Sequence, residues 1–578
     1  MAETLLSPGV LARENDQSFI QGQPVSVGAA IIGPTVKGPV EVPTLVTSFS
    51  EFTSKFGGAI QSGSGVYSYL TSVAVSNYFS NGGTSLLVTR VVSGSFTSAV
   101  STTIPTGSGG PTTGLSPFVL ETISEGTIMN STSTGTLGAL TSGSVDNVRW
   151  EIPTVNTSSG TFSLLIRRGD DNNLQKVVLE SYNNLSLDPY ASNYISKVIG
   201  DANFNLVNDG TDYYIQQTGS YGNASRYVRV KEVNYNTPQY FDNNGFAKNQ
   251  YTGSLPSVSS GSFGGAVGSN IPVGRAANFY QNIGLGAGAD TQGLSGSDYN
   301  NAIALLSNVD EYKYNVIFTP GLIHQYHPTQ VSNIVNNTIG RGDAVAVIDL
   351  RGYGAEINQV ISQVAAFDSS YAATYWPWLQ TIDLNTGESV WVPASTMIPG
   401  VYAFTDNSSD PWFAPAGITR GSLGQVIRAE RKLTSGNRDN LYEANVNPIA
   451  SFPGVPNPVV FGQKTLQKRA SALDRINVRR LLIALKSYIS QVADGLVFEQ
   501  NTATTRNNFL SQVNPYLESV QQRQGLFAFK VVMDDTNNTP DVVDRNELVG
   551  QIFLQPTRTA EYIILDFNVL PTGATFPA

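Results

Sequence analysis

Residues 445–466 read NVNPIASFPGVPNPVVFGQKTL, and residues 476–495 read INVRRLLIALKSYISQVADG. The first stretch is apolar and interrupted by proline and glycine, which is typical of short buried strands joined by turns. In the second stretch, apolar residues recur every three or four positions, at Val478, Leu481, Leu482, Leu485, Tyr488, Ile489 and Val492. This spacing predicts an amphipathic helix over 478–493, with Asn477 as its N-cap and Gly495 closing it.

The sequence after this helix completes a small α+β domain. A second helical stretch covers residues 504–523, and Pro515 is expected to break or kink it. Alternating apolar residues then predict strands at 526–533, 549–555 and 560–570. We therefore predict a C-terminal α+β domain over residues 445–570.

This region resembles the C-terminal domain of contractile bacteriophage tail sheath proteins, which have an FPG turn and an INVRRLL helix. Both are present here, at 452–454 and 476–482. At the other end of the chain, TLLSPGV at 4–10 resembles the N-terminal arm of the same family. NLSLDP at 184–189 and the VPAS and APAG segments at 392–395 and 414–417 are also similar to it. The resemblance implies a structural and mechanical protein rather than an enzyme.

Composition limits the function classes. Charged residues are 13% of the 578, about half of the ~25% usual in soluble domains. The net charge of −10 does not favour binding of the whole chain to nucleic acid or to an anionic membrane. The chain has no cysteine, which removes disulfides and thiolate chemistry. With no secretory signal or bilayer-length apolar run, we expect a chain that is made and assembled in the host cytoplasm.

The first 95 residues are predicted to form an arm followed by a mixed domain segment. Residues 1–22 have few apolar positions and order only by pairing with another element, and 571–578 form a similar C-terminal arm. Residues 23–95 form the N-terminal sheath domain segment. There the pattern predicts a strand at 25–33, a short helix with Ser50 as N-cap, a helix at 66–79 and a strand at 86–92.

Residues 96–297 predict a β-rich peripheral domain. Gly, Ser and Thr dominate at 96–150 and 250–295, which we interpret as outward-facing excursions. For 96–150 a flexible linker is the alternative interpretation. A hairpin is expected at 161–182 around the turn 169–172, and a helix from about Pro189.

Residues 298–444 predict a central α/β domain. Helices are expected near 299–309, 329–339 and 355–367, and strands at 315–319, 344–350 and 371–382. Their alternation predicts parallel strands with right-handed crossovers. The family resemblance implies a subtilisin-like, non-catalytic arrangement here. The predicted fold class is thus α+β and α/β multidomain. It has an N-terminal and central α/β domain, β-rich Gly/Ser-rich insertions, a C-terminal α+β domain and extended terminal arms.

The residues that usually carry chemistry are scarce. The chain contains two histidines, His324 and His327, followed at once by Pro328. A metal site at this pair is one interpretation, and a solvated loop is the other. No phosphate-binding glycine loop or nucleophile elbow is present. We therefore predict no catalytic, metal-binding or cofactor-binding residues and no cofactor.

One segment of this acidic chain is strongly basic. Seven basic residues lie within 464–486, at Lys464, Lys468, Arg469, Arg475, Arg479, Arg480 and Lys486, with one acidic residue, Asp474. A solvated helix face is one interpretation. The resemblance supplies the other, because C-terminal domains of the family form the inner wall around the tail tube. These seven residues are called the basic cluster below.

The resemblance implies the remaining expectations. Subunits would stack as six-fold rings around a tail tube, with the baseplate and tail terminator proteins as further partners and the virion as the final location. Terminal arms would add strands to neighbouring subunits through Leu5, Leu6, Pro8, Val10, Phe567, Val569 and Leu570. Two alternatives stay open: the sheath of a phage-like injection particle such as a tailocin, and, more distantly, a secreted β-rich hydrolase.

Overall fold

The computed structural model describes residues 28–62, 65–111, 114–128, 139–141, 148–210, 212–268, 280 and 292–562. The predicted arms at 1–22 and 571–578 lie outside these residues, together with all seven predicted arm contacts: Leu5, Leu6, Pro8, Val10, Phe567, Val569 and Leu570. Most of the predicted strand 560–570 lies outside them as well. The arm contacts therefore stay predictions.

The N-terminal segment alternates short strands with two helices. The strands are β1 (Ala29–Gly33), β2 (Thr44–Val46), β3 (Ala59–Ser62), β4 (Gly65–Ser68) and β5 (Leu86–Arg90), and the helices are α1 (Phe49–Phe56) and α2 (Leu70–Ser80). The N-cap of α1 is Ser48 and not Ser50, because the Ser48 hydroxyl accepts the Glu51 N–H at 3.1 Å. Residues 66–68, predicted as helix, form the second strand of the β3–β4 hairpin. Helix α2 therefore begins only at Leu70.

The peripheral domain has one eight-stranded antiparallel sheet, a separate β-hairpin and one short strand that pairs with the N-terminal segment. Its strands are β6 (Ser98–Ser101), β7 (Phe118–Glu125), β8 (Leu140–Thr141), β9 (Arg149–Ile152), β10 (Val155–Asn156), β11 (Thr161–Arg167), β12 (Val178–Ser186), β13 (Asn203–Asn208), β14 (Tyr213–Thr218), β15 (Val228–Val233) and β16 (Ser259–Gly264), with helices α3 (Ile195–Ile199) and α4 (Asn249–Thr252). The main sheet has the order β10-β11-β9-β16-β6-β7-β15, with β12 also on β11. Phe118 and Trp150 are buried in its core, so the linker interpretation of 96–150 is wrong for the described residues. The helix expected from Pro189 begins only at Ile195.

The central domain contributes most strands of a mixed eight-stranded sheet, called the large sheet below, and it also has a separate three-stranded sheet. Its strands are β17 (Val316–Ile323), β18 (Val345–Asp349), β19 (Ala372–Trp376), β20 (Leu379–Ile382), β21 (Ser389–Val392), β22 (Val426–Ala429), β23 (Asn447–Ala450) and β24 (Val459–Val460). Its helices are α5 (Asn300–Leu305), α6 (Pro328–Arg341), α7 (Ile357–Val364), α8 (Ile398–Ser408), α9 (Gly417–Arg420) and α10 (Ser435–Glu443). The predicted strand 371–382 is divided at Pro377 into β19 and β20, which belong to different sheets.

Strands from distant parts of the chain meet in this sheet. Its order is β2-β5-β1-β17-β18-β19-β23-β24. All pairs from β5 through β23 are parallel, and only the two edge strands are antiparallel. Each face is covered by its own apolar core, as parallel sheets require. The N-terminal and central segments thus form one α/β unit. Residues 447–460, which we predicted as part of the C-terminal domain, form its far edge.

The C-terminal domain packs two long helices on a hairpin. Its elements are α11 (Ile476–Asp494), α12 (Ala503–Gln522), β25 (Leu526–Val532), α13 (Pro540–Asp544) and β26 (Gln551–Pro556). Helix α12 continues through Pro515, because Val513 and Leu517 are buried on either side and hold both halves against the core. Asn477 is not the N-cap of α11. It lies buried in the first turn and donates to the Trp412 carbonyl at 3.2 Å.

Candidate assembly interface

The basic cluster does not form a single exposed face. Arg479 and Arg480 are each only 4% exposed and point from α11 towards the central domain. The Arg479 guanidinium lies 4.0 Å from the centre of the Tyr371 ring and donates to the Ser370 hydroxyl. Arg480 donates to the Asp406 carboxylate at 2.6 Å. In this subunit, therefore, both guanidinium groups are buried, and both attach α11 to the central domain.

Two further members of the cluster are half-buried and engaged within the subunit. Lys464 donates to the Tyr442 carbonyl at 2.7 Å and lies 4.5 Å from the centre of its ring. Arg475 forms ion pairs with Glu561 at 2.7 Å and with Asp474 at 3.0 Å. The Arg475 charge is thus paired within the subunit, and the Lys464 ammonium is held by a neutral carbonyl, so a tube would have to compete with these contacts.

Three members remain exposed, namely Lys468, Arg469 and Lys486. Lys468 donates from its ammonium to the Ala365 carbonyl at 2.8 Å, which positions its side chain without neutralising it. Arg469 and Lys486 form no ion pair within the described residues. We call these three residues the exposed basic surface.

The C-terminal hairpin offers open strand edges. Strands β25 and β26 pair only with each other among the described residues, so each has an outer edge without a strand neighbour. The Phe527 and Phe553 side chains on this hairpin are 76% and 57% exposed. An unpaired edge beside exposed aromatic rings is suited to receiving a strand from another chain.

Both histidines lie inside the protein, and the solvated-loop interpretation is wrong. His327 is 2% exposed, and its Nδ1 accepts the Ile323 N–H at 3.3 Å just before α6. His324 contacts Gln363 through Nδ1 and packs on the Phe367 ring. Burial, together with the Arg351 charge, lowers the pKa of His324. Within the described ranges, no group of three potential metal ligands comes together.

A buried carboxyl at the end of β18 was not anticipated from the sequence. Asp349 is 4% exposed. It accepts the Ser395 N–H at 3.1 Å and also bonds the Ser395 hydroxyl. Burial raises the pKa of Asp349 to about 7, although the bonds from Ser395 oppose the shift. The His324 ring contacts Gln363 through Nδ1 rather than the Asp349 carboxyl.

Two parts of the chain are similar to known protein domains. Residues 292–466 match the phage tail sheath protein central domain, and residues 469–570 match the phage tail sheath C-terminal domain. Over these residues the chain is similar to the phage tail sheath family.

Two phage tail sheath proteins are similar to part of this chain. The chain is 38% identical over 217 residues to the tail sheath protein of Enterobacteria phage T4, covering 38% of this chain and 32% of that protein. It is 33% identical over 287 residues to the tail sheath protein of Vibrio phage KVP40, covering 49% and 42%. The matched part is thus less than half of each relative's length.

Two solved structures share the fold along almost the whole chain. A protein in the contracted anti-feeding prophage baseplate aligns with 98% of this chain and 100% of its own, at 15% identity and a TM-score of 0.52. The sheath tail protein from Listeria innocua aligns over 92% and 96%, at 10% identity and a TM-score of 0.50. At these identities the likeness concerns the fold alone. Among the described residues, no helix of this sheath chain is both long and apolar enough to cross a bilayer.

The buried carboxyl gives the sheath central domain a testable pH dependence. Because the pKa of Asp349 is raised from 3.8 to about 7, the folded state holds its proton more tightly than the unfolded chain. Its contribution to stability therefore falls as the pH rises from about 4 to 7, by a few kcal/mol at most. Asp349→Asn keeps an acceptor for the Ser395 N–H and should remove this part of the slope. Urea denaturation midpoints at pH 5 and 7.5 measure the difference, and identical slopes for the two proteins would contradict it.

Proposed function

We propose that this chain is the structural subunit of a contractile phage tail sheath. It polymerises as stacked six-fold rings around the tail tube and contracts to drive the tube through the host envelope for genome delivery. The observation that carries the proposal is the match of residues 292–466 and 469–570 to the two sheath domains, in order. Its tail partners would be the tube, baseplate and terminator proteins, with assembly in the host cytoplasm and the virion as the final location.

The architecture suits a subunit that moves as a rigid body. Strands before residue 95 and after residue 315 share one parallel sheet, so the central α/β unit cannot deform easily. The buried contacts of Arg479 and Arg480 tie α11 to that unit. Contraction then requires two packings of the same subunits, linked by connections that survive rotation. Strand addition at the β25 and β26 edges would supply such links through main-chain hydrogen bonds.

Concentration-dependent association tests this proposal. A sheath subunit should assemble into large particles as its concentration rises, whereas the hydrolase alternative should stay monomeric. Sedimentation velocity of the purified full chain over a hundred-fold concentration range distinguishes them. A single monomer boundary throughout would count against a sheath.

The exposed basic surface is the part of the predicted tube contact that the subunit leaves accessible. Lys468, Arg469 and Lys486 would meet acidic groups on the tube, at ~0.2–1 kcal/mol for each exposed pair. A helical lattice repeats such contacts many times, and their weakness allows release during contraction. The other four members of the basic cluster make contacts within the subunit instead. Arg479 and Arg480 are buried, and Lys464 and Arg475 bond to other residues of the same chain.

Changing Lys468, Arg469 and Lys486 together to Gln should weaken co-assembly on isolated tail tubes, with the greatest loss at low salt, where screening of exposed charges is weakest. Tube-free assembly should be unaffected, because these residues do not join subunits in this proposal. The control changes Arg226, Lys313 and Lys432 to Gln, since these are also exposed but lie outside the C-terminal domain. Tube binding is measured by pelleting. Equal binding by both triple variants would restore the interpretation of a solvated face.

A further inference from the structure

Residues 557–562 form an extended segment that leads from β26 to the edge of the central sheet. Residues 557–560 are all exposed. The Thr557 N–H donates to the Gly525 carbonyl at 3.2 Å, and the Thr559 hydroxyl accepts from the Gln463 amide at 2.7 Å. Glu561 is then half-buried, whereas the next ring, Tyr562, is 80% exposed. Glu561 is therefore the last side chain of the described residues that the subunit holds.

The Glu561 carboxylate occupies a socket formed by Arg475, Tyr442 and Gln463. Arg475 donates to both oxygens, from Nε at 2.7 Å and from a terminal nitrogen at 2.9 Å. The Gln463 amide and the Tyr442 hydroxyl each donate at 3.0 Å, one to each oxygen. We call these three residues the Glu561 socket. A bidentate guanidinium with two neutral donors satisfies a carboxylate well.

The charges around the socket keep Glu561 ionised. Burial alone would raise the pKa of Glu561, but the bonds from Arg475 and Gln463 outweigh it and lower the pKa. Burial and the Glu561 charge raise the pKa of Tyr442, so its hydroxyl stays a donor. Lys464 lies over the Tyr442 ring, and Asp474 pairs with Arg475 at 3.0 Å. These groups complete a charge-balanced cluster around the carboxylate.

Apolar packing contributes little to holding this segment. Residues 557–562 line one side of a cavity of about 700 Å³, and Trp412, Phe413 and Phe461 line another part of it. A segment that borders a cavity gains few apolar contacts, so the polar socket provides much of its attachment. The socket residues come from the C-terminal end of α10, the loop after β24 and the N-terminal flank of α11. Holding Glu561 therefore fixes the segment to both domains.

We propose that the Glu561 socket anchors residues 557–562 and so fixes the point from which the chain continues towards the C-terminal arm predicted at 571–578. The proposal rests on the proposed function, in which terminal arms link subunits. Fixing the base of an arm reduces the conformational freedom lost when the arm binds. An anchored arm should therefore lower the concentration at which assembly begins.

Two measurements on the full chain test this anchor. Trypsin cleavage after Arg558, followed by mass spectrometry of the released C-terminal fragment below the assembly concentration, reports local opening. Glu561→Ala should speed this cleavage about ten-fold, and Glu561→Gln by less, since Gln keeps part of the hydrogen bonding. Glu518→Gln, at an exposed position on α12, should change nothing. The concentration at which assembly begins should rise in the same order.

The outcomes separate the anchor from the proposed function. Unchanged cleavage in Glu561→Ala would overturn the anchor, whatever the chain assembles into. Faster cleavage with an unchanged assembly concentration would overturn its role in linking subunits. If the unaltered chain does not assemble at all, the proposed function fails, and the proposed arm linkage fails with it. Faster cleavage and a raised assembly concentration together support the proposal.

Discussion

Deleting residues 2–20 is expected to abolish polymerisation while leaving a folded subunit. The large sheet is complete without these residues, because β1 begins at Ala29 and pairs with β5 on one side and β17 on the other. Outer edges of β25 and β26 remain without a strand neighbour in the described part of the chain. An arm that fills such an edge adds several main-chain hydrogen bonds at each subunit contact. Its loss should therefore remove assembly and not folding.

Circular dichroism and sedimentation of the truncated chain measure the two effects separately. A finer pair of variants tests the arm residues. Changing Leu5, Leu6 and Val10 to Ser should weaken assembly, whereas changing Glu14, Asp16 and Gln17 to Ser should have little effect. Long tubes formed by the truncated chain would show that the arm is not required.

Arg167→Met is expected to lower the free energy of unfolding of the peripheral domain by about 3–5 kcal/mol. The Arg167 side chain is 2% exposed, and it pairs with Asp171 at 2.7 Å and with Glu151 at 2.8 Å. The Asp171 side chain is fully buried. Methionine fills similar space, but it leaves two carboxylates in the core without the guanidinium.

The neighbouring residue supplies the matched control. Arg168 pairs with Asp170, and both side chains are more than 20% exposed. Arg168→Met should therefore change stability by less than ~1 kcal/mol. Urea denaturation with hydrogen exchange of residues 148–186 measures both variants. Equal effects would show that the buried network contributes no more than a surface pair.

The parts of the fold that were predicted correctly are those decided by local pattern. AVAVI at 344–348 is apolar throughout and forms most of β18, a strand inside the parallel sheet. The stripe on α11 places Leu481 and Leu485 in the C-terminal core. The short helix predicted near Ser50 forms α1, in which the Phe52 and Phe56 rings stack with their centres 5.5 Å apart. In each case a few consecutive residues contain enough information to specify the element.

The predictions that were wrong concern elements whose structure depends on packing between segments distant in the sequence. Periodicity assigned one buried face to α11, but its first turns are covered on a second side by the central domain. Arg479 and Arg480 are buried there for that reason. Strands β23 and β24 belong to the same sheet as β1, which begins at Ala29, and no local pattern encodes that pairing. Similarly, Ser48 and Ser50 are both good N-caps by residue type, and the geometry of the loop selects Ser48.

The candidate site was predictable only in part. A local excess of positive charge marked residues 464–486, yet the groups that bond Lys464 and Arg475 lie elsewhere in the chain, at the Tyr442 carbonyl and the Glu561 carboxylate. The Asp349–Ser395 pair likewise depends on a 3₁₀ turn meeting the end of β18. Side chains brought together by tertiary structure leave no signal in spacing.

Negative-stain electron microscopy of the purified full chain at high concentration tests the central claim most directly. A sheath subunit with intact arms should form hollow tubes of uniform width, with regular striations from stacked rings. Dispersed single particles at every concentration, with the protein fully folded, would contradict the assignment of this chain as a polymerising sheath subunit.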